Sequence, residues 1–385
     1  MTRKICVVVN SRANYGRVKS VMQAARSHPG VELKLIVGAS ALLYRFGEVV
    51  NTIKSDGFEP DVQMYSIVEG EKPTTMAKST GLAVIELSTH FDQMKPDIVL
   101  TVADRFDTLS TAVAASYMNI PVAHTQGGET TGSIDESVRH AITKLSHLHF
   151  PATPIARDNI IKMGEEPFRV HLTGCPAIDL LVDLDFNLPL KISTLSSGVG
   201  PEVFTDKPYI LVLQHPVTTE YGEGFSQISQ TLKAIHRISQ EGMQVIWLWP
   251  NVDAGSDDIS KGLRQYREEN KPCKIHFMKN FTPEDYAKVL YRSKCVVGNS
   301  SSGLREAAFF GTPCVNIGSR QRGREKSKNV IDVPHSSDKI YSSINAQLNH
   351  GRYSPDYLYG DGTAGNKIVD ILATADLVIQ KRLCF

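Results

Sequence analysis

Short, unbroken hydrophobic runs recur along the chain, and between them lie longer stretches with apolar residues three or four positions apart. An apolar run bounded by turn residues is expected of a strand buried on both faces, and the longer spacing of an amphipathic helix. In the first half, Lys4–Val9, Glu32–Val37, Pro96–Val102, Pro121–His124, Leu148–Phe150 and His171–Thr173 are expected to be strands. Helices are expected at about Tyr15–His28, Asp107–Met118 and Ser137–Leu148. Asp183–Lys207, rich in Pro, Gly, Ser and Asp, breaks this rhythm and reads as a linker.

A second alternating set follows. Strands are expected at Tyr209–Leu213, Gln244–Trp249, Lys274–Met278, Lys294–Val297 and Thr312–Ile317, and helices near Gln227–Gln240 and Ser256–Asn270. A last amphipathic helix is expected from about Ala364 to Leu383. Strand–helix alternation on either side of a linker predicts an α/β chain of two Rossmann-like domains facing one another across a cleft, divided at 183/184. Ligand is then expected at the carboxyl ends of the strands.

Composition narrows the partners. At 385 residues the chain is too long for one compact core and suits two. A net charge of +1, without basic runs, argues against nucleic acid. No 18-residue apolar run is present, so no membrane span is expected. A strand beginning at Lys4 leaves no room for a signal peptide. Six cysteines without CxxC pairing read as reduced thiols rather than disulfides or a metal site. The expectation is a cytoplasmic protein without a metal.

Candidate chemistry sits where the predicted strands end. Asn299–Ser302 follows the run ending at Val297, and its hydroxyls are expected to cap a helix carrying Leu304, Ala307, Ala308 and Phe309. Ser300 and Ser301 would face an anion, and Glu306, one turn on, would take two ribose hydroxyls, together suggesting a nucleotide-sugar site. Arg12 lies in the first strand–helix turn, which lacks GxGxxG, so no dinucleotide cofactor is indicated; its guanidinium suits a phosphate. Asp107 is a plausible helix cap, whereas Asp104, at the strand end itself, has no such structural explanation. Glu129, Asp135 and Glu136 follow the paired glycines Gly127–Gly128. In the second half, His215 precedes Pro216 at a strand end, Asn251 closes the next strand, and Arg320, Arg322 and Arg324 share a loop suited to a diphosphate.

In order and spacing these motifs resemble the hydrolysing UDP-N-acetylglucosamine 2-epimerases, the bacterial sialic-acid pathway enzymes and the epimerase half of the human bifunctional epimerase/kinase. The resemblance rests on the Arg12 turn, Asp104–Asp107, Gly127–Glu129, Gly132–Asp135, Arg139–Lys144, Gln214–Thr219, Asn251–Ser256, Gly298–Ser301, Arg320–Glu325, Tyr359–Gly362 and the terminal Cys384–Phe385. It implies the glycosyltransferase-B architecture, with residues 364–385 crossing back to a first domain that carries the carboxylates, and a second domain that binds nucleotide. It implies the reaction of UDP-N-acetylglucosamine with water to give N-acetylmannosamine and UDP through 2-acetamidoglucal, and a homodimer or homotetramer.

Position by position, the resemblance makes Asp104 and Asp135 acid/base carboxylates and His215 the catalytic histidine. It makes Arg12, Ser300 and Ser301 phosphate contacts, Glu306 the ribose contact, Asn251 a sugar or phosphate contact, and Arg320 an active-site residue. Arg105, Gln126 and Arg139 complete the expected substrate contacts. Many members carry a catalytic Glu just before the paired glycines, where this chain has Gln126. A carboxamide cannot act as a base, so Glu129 or Asp104 takes that role, or the substrate differs. Ala103 also stands where a glycine is common. The alternatives are the same chemistry on a 2,4-diacetamido-2,4,6-trideoxy sugar or another nucleobase, a non-hydrolysing epimerase, a glycosyltransferase, or a nucleotide-sugar sensor.

Overall fold

A computed structural model of the chain describes residues 2–70, 72–187, 198–250, 253–270 and 274–384. These gather into two compact units. The first comprises Met1–Thr130, Ile134–Asp183 and Tyr359–Phe385; the second comprises Thr131–Ser133 and Leu184–Leu358.

Each unit is built on a six-stranded parallel sheet. The first holds β1 (Arg3–Val9), β2 (Val31–Gly38), β3 (Val62–Met64), β4 (Ile98–Val102), β5 (Val122–Thr125) and β6 (Leu148–Phe150) in the order β3-β2-β1-β4-β5-β6. The second holds β7 (Tyr209–Leu213), β8 (Gln244–Leu248), β9 (Ile275–Met278), β10 (Cys295–Gly298), β11 (Cys314–Ile317) and β12 (Val330–Val333) in the order β12-β11-β10-β7-β8-β9. Both orders reverse direction once, between β1 and β4 and between β7 and β10. In doubly wound sheets, crevices for ligands open beyond the strand ends at that switch point.

The strands read as continuous hydrophobic runs because helices cover both sheet faces. In β1, Ile5, Val7 and Val9 pack with helix Arg12–Ser27 and with Ile368 and Leu372 of helix Ala364–Thr374. Cys6 and Val8 face the other way, toward Leu87 and Phe91 of helix Pro73–Met94. In the second unit Ile210 and Val212 of β7 pack on Ile228, Leu232 and Ile235 of helix Gly224–Gln240.

Two expected elements differ. His171–Thr173 is not a strand. Its amides donate to the carbonyls of His149 and Pro151 at 2.9 and 3.3 Å, but Pro151 ends β6 and has no N–H with which to continue a ladder. The final helix stops at Thr374 rather than near Leu383. There the Arg3 guanidinium takes the Leu372 and Ala375 carbonyls at 2.7 and 2.8 Å, so the helix C-terminus is satisfied from outside. The remaining tail is held by tertiary bonds: His147 to the Ile379 carbonyl at 2.8 Å, and Lys381 to the buried Glu165 at 2.7 Å. Of the expected linker, residues 188–197 lie outside the described residues, and its described flanks form no helix or strand beyond one bridge from Val199 to Phe277.

Candidate functional site

In the first unit the polar groups gather beyond β1, β4 and β5. Asn10 follows β1, and its amide nitrogen donates to the Asp107 carbonyl at 2.8 Å, lacing the two sides of the switch point together. Ser11 caps the helix that begins at Arg12, which is half-buried there. Ala103, just past β4, has φ +62°, a conformation that costs an L-residue other than glycine about 1 kcal/mol or more. Asp104 comes next. Its carboxylate pairs with the guanidinium of Arg139, a side chain with no solvent exposure that also donates to the Glu129 carbonyl at 2.7 Å. Asp104, Glu129 and Arg139 are thus brought together, and Asp135, first in helix Asp135–Leu145, shares a face with Arg139 one turn on.

Arg105 and Asp107 form a local pair at 3.4 Å. Arg105, not Asp107, occupies the cap of helix Phe106–Tyr117, with Thr108 closing the capping box. Gln126, also at positive φ (+60°), is fully buried. Its amide nitrogen donates to the Cys175 sulfur at 3.3 Å, and its amide oxygen has no partner.

In the second unit the organising residue is Asn299, which follows β10. Its side-chain oxygen accepts from the His215 N–H and its side-chain nitrogen donates to the His215 carbonyl, both at 2.8 Å. The Asn299 carbonyl accepts from Arg320 at 3.3 Å and from Gln321 at 2.8 Å. One side chain therefore fixes the backbone of His215, and its carbonyl anchors the arginine loop. Gly298 makes the approach possible: at φ +134°, a β-carbon would collide with the Leu213 carbonyl. Beside His215, Gln214 is fully buried with neither amide atom partnered.

The serine run does not cap a long helix. Ser300 begins a single 3-10 turn, Ser301–Gly303, and a separate five-residue helix, Glu306–Phe310, ends at Gly311 with φ +67°. The Ser300 hydroxyl contacts that of Ser302 at 3.0 Å, and Ser302 in turn meets Tyr286 at 2.5 Å. Glu306 is half-buried, and its Oε2 is buried without a partner. Asn251 lies outside the described residues.

Residues 23–373 match the sequence profile of the family described as UDP-N-acetylglucosamine 2-epimerase. The chain belongs to this family. It is 33% identical over 380 residues to the hydrolysing UDP-N,N'-diacetylbacillosamine 2-epimerase of Legionella pneumophila, covering 99% of this chain and 98% of that protein. It is 31% identical over 331 residues to the hydrolysing GDP/UDP-N,N'-diacetylbacillosamine 2-epimerase of Campylobacter jejuni, covering 86% and 84%. Its fold matches that of the Neisseria meningitidis UDP-GlcNAc 2-epimerase solved with UDP-GlcNAc bound, with a TM-score of 0.76 at 19% identity over 96% of this chain and 99% of that one. The architecture is accordingly the glycosyltransferase-B-like fold.

Within this 2-epimerase, two structural roles escape a reading of the sequence. Arg139, expected as a substrate contact, is fully buried and pairs with Asp104 and the Glu129 carbonyl. Asn299, expected as one more capping side chain, is the clamp on His215. An Asn directly after a strand-ending Gly is the one local signal for the second; the first has none. Among the described residues no group of three or more His, Cys, Asp or Glu could hold a metal, and no helix is long and apolar enough to cross a membrane.

Proposed function

We propose that this chain is a hydrolysing 2-epimerase of a UDP-linked 2-acetamido sugar, acting in the cytoplasm as a homo-oligomer. The observation that carries the reading is the gathering of the Asp104 carboxylate, buried Arg139 and the Glu129 backbone beyond the strand ends, in a chain of the 2-epimerase family. Breaking the bond between sugar carbon 1 and the diphosphate leads, since the hydrogen on carbon 2 is too weakly acidic to leave first. A carboxylate, Asp104 or Glu129, takes that hydrogen as a proton while UDP departs with the bonding pair, giving the 2-acetamidoglucal. Water then adds to carbon 1, and Asp135 or His215 returns a proton to the opposite face of carbon 2. Arg12, Ser300, Ser301 and Arg320 hold the diphosphate, and Glu306, with its unpartnered buried oxygen, accepts the ribose hydroxyls.

The sugar is read as a 2,4-diacetamido-trideoxy hexose ahead of N-acetylglucosamine. Of three relatives above 30% identity, two are named for the diacetamido substrate and one, from Escherichia coli, for polysialic acid biosynthesis; Gln126, which offers a buried amide oxygen where many family members have a carboxylate, favours the diacetamido reading. Proton NMR in deuterium oxide with each UDP-sugar in turn tests this. Free manno-configured sugar deuterated at carbon 2, appearing with UDP, is expected, and faster from the diacetamido substrate. A sugar epimerised but still attached to UDP would overturn hydrolysis, and binding without turnover would leave a nucleotide-sugar sensor.

A further inference from the structure

His124 lies within β5, is fully buried, and has no role in the mechanism above. Its Nε2 is 2.7 Å from the Ala103 carbonyl oxygen. A carbonyl can only accept, so Nε2 carries the proton. Nδ1, 3.4 Å from Thr143 Oγ1, then accepts from that hydroxyl. Burial holds the imidazole down at about 3, so the ring is neutral. Gly127 leaves room for the pair: a β-carbon there would stand 2.9 Å from His124 Nδ1 and 3.0 Å from Thr143 Oγ1.

The ring acts on the strained residue beside Asp104. Ala103 donates its N–H to the Thr125 carbonyl at 3.0 Å and receives His124 at its own carbonyl, so β5 holds both polar groups of a left-handed residue. Such a conformation persists only where its surroundings over-determine it. Thr143 and Arg139 lie one turn apart on helix Asp135–Leu145, so a single helix steadies the imidazole with one side chain and the Asp104 carboxylate with another.

We propose that His124 is a positioning residue whose Nε2–H locks Ala103 in the left-handed conformation and so aims the Asp104 carboxylate at the proton it removes. This rests on reading Asp104 as an acid/base group. The test is steady-state and single-turnover kinetics on the full chain with the UDP-sugar that turns over. His124→Phe keeps the ring volume and removes the donor; it is expected to lower kcat by about 10- to 100-fold with KM nearly unchanged, as a misaimed group does. His124→Gln, whose amide N–H reaches the same carbonyl, is expected to recover most of the loss. In an Asp104→Asn background, His124→Phe is expected to cost nothing further, because both changes act through one carboxylate.

Thr143→Val, which removes the hydroxyl that donates to Nδ1 and steadies the ring, is expected to lower kcat in the same sense and serves if His124→Phe does not fold. Wild-type kcat in His124→Phe, or an equal loss in both backgrounds, would overturn the proposal. Wild-type turnover in Asp104→Asn would instead refute the base assignment. An inactive Asp104→Asn beside a fully active His124→Phe refutes the positioning role alone.

Discussion

The two units hold their candidate groups in different ways. In the first, charge meets charge: Asp104 is paired with a fully buried arginine, and the peptide before it is pinned from β5. In the second, a neutral carboxamide clamps the backbone of His215, while Gln214 and one oxygen of Glu306 stay buried without partners. A group that moves a proton must be aimed before substrate arrives, whereas a group that binds can be left for the ligand to satisfy. Gln126 is the exception in the first unit, since its amide oxygen is orphaned too. On this comparison it would belong with the groups proposed to bind.

The largest effect expected is in the first unit. Asp104→Asn keeps the shape and removes the proton acceptor, and should lower kcat about 1,000-fold. UDP binding by calorimetry should stay near wild type, because the nucleotide contacts proposed in the second unit are untouched. Equal losses in both would erase the distinction between the units.

Asn299→Ala probes the second unit. It strips two hydrogen bonds from buried His215 backbone and should cost about 2–3 kcal/mol of stability in denaturant titration. Turnover should fall as His215 loses its fixed place. A variant as stable as wild type would show that the clamp is unnecessary.

The sheets were legible because each central strand is buried on both faces and announces itself as an apolar run. Strand ends follow directly, and with them the positions of Asp104, Gln126, His215 and Asn299. What joins those ends was not legible. Asn299 reaches His215 across 84 positions, and Arg139 reaches Asp104 across 35, with no local pattern linking either pair. The serine run misled because its cap chemistry is satisfied equally by one 3-10 turn. The tail misled because its helical periodicity continues past Thr374, where Arg3, His147 and Glu165 compete for it. Elements such as β3 and β12, three and four residues long at sheet edges, are too short to show a period.

Acid should separate the units. His124, His140, His147, His149 and His171 of the first unit all have their pKa lowered, in each case chiefly by burial. Below the ordinary value near 6.5 the unfolded chain binds protons that the fold refuses, so stability is full above that pH and is lost as pH falls below it. In Glu165, burial pushes the pKa up, but hydrogen bonds from His149, Lys144 and Lys381 outweigh it and hold the group at about 2; its contribution is lost only below the ordinary 4.5. Burial raises Asp179, which works the other way at lower pH, so the test is confined to between pH 7 and about 5.5. In the second unit burial lowers His335 in the same way. Hydrogen exchange should show first-unit amides losing more protection than second-unit amides over that range, and equal losses would contradict it.

Glu306→Gln tests the binding side at smaller scale. The carboxamide can still accept one ribose hydroxyl, so UDP affinity should weaken by about tenfold, roughly 1.4 kcal/mol. An unchanged dissociation constant would remove Glu306 from the nucleotide site.

The smallest effect comes from Ala103→Gly, and it bears most directly on how the first unit aims its carboxylate. Glycine removes the strain at φ +62°, about 1 kcal/mol or more. Against that stand the extra freedom of the unfolded chain, about 0.4–1 kcal/mol, and one lost buried methyl, about 0.8 kcal/mol. The terms nearly cancel, so stability should move by no more than about 1 kcal/mol in either direction. Turnover is the informative reading. If β5 fixes the conformation through Thr125 and His124, glycine adopts it unaided and kcat stays at wild type; a marked fall would mean that the methyl group itself, packed in a pocket where glycine is common, shapes the site. Combining Ala103→Gly with His124→Phe sharpens the choice. A residue that can now leave the left-handed region, and has lost the bond that kept it there, should lower kcat more than His124→Phe alone.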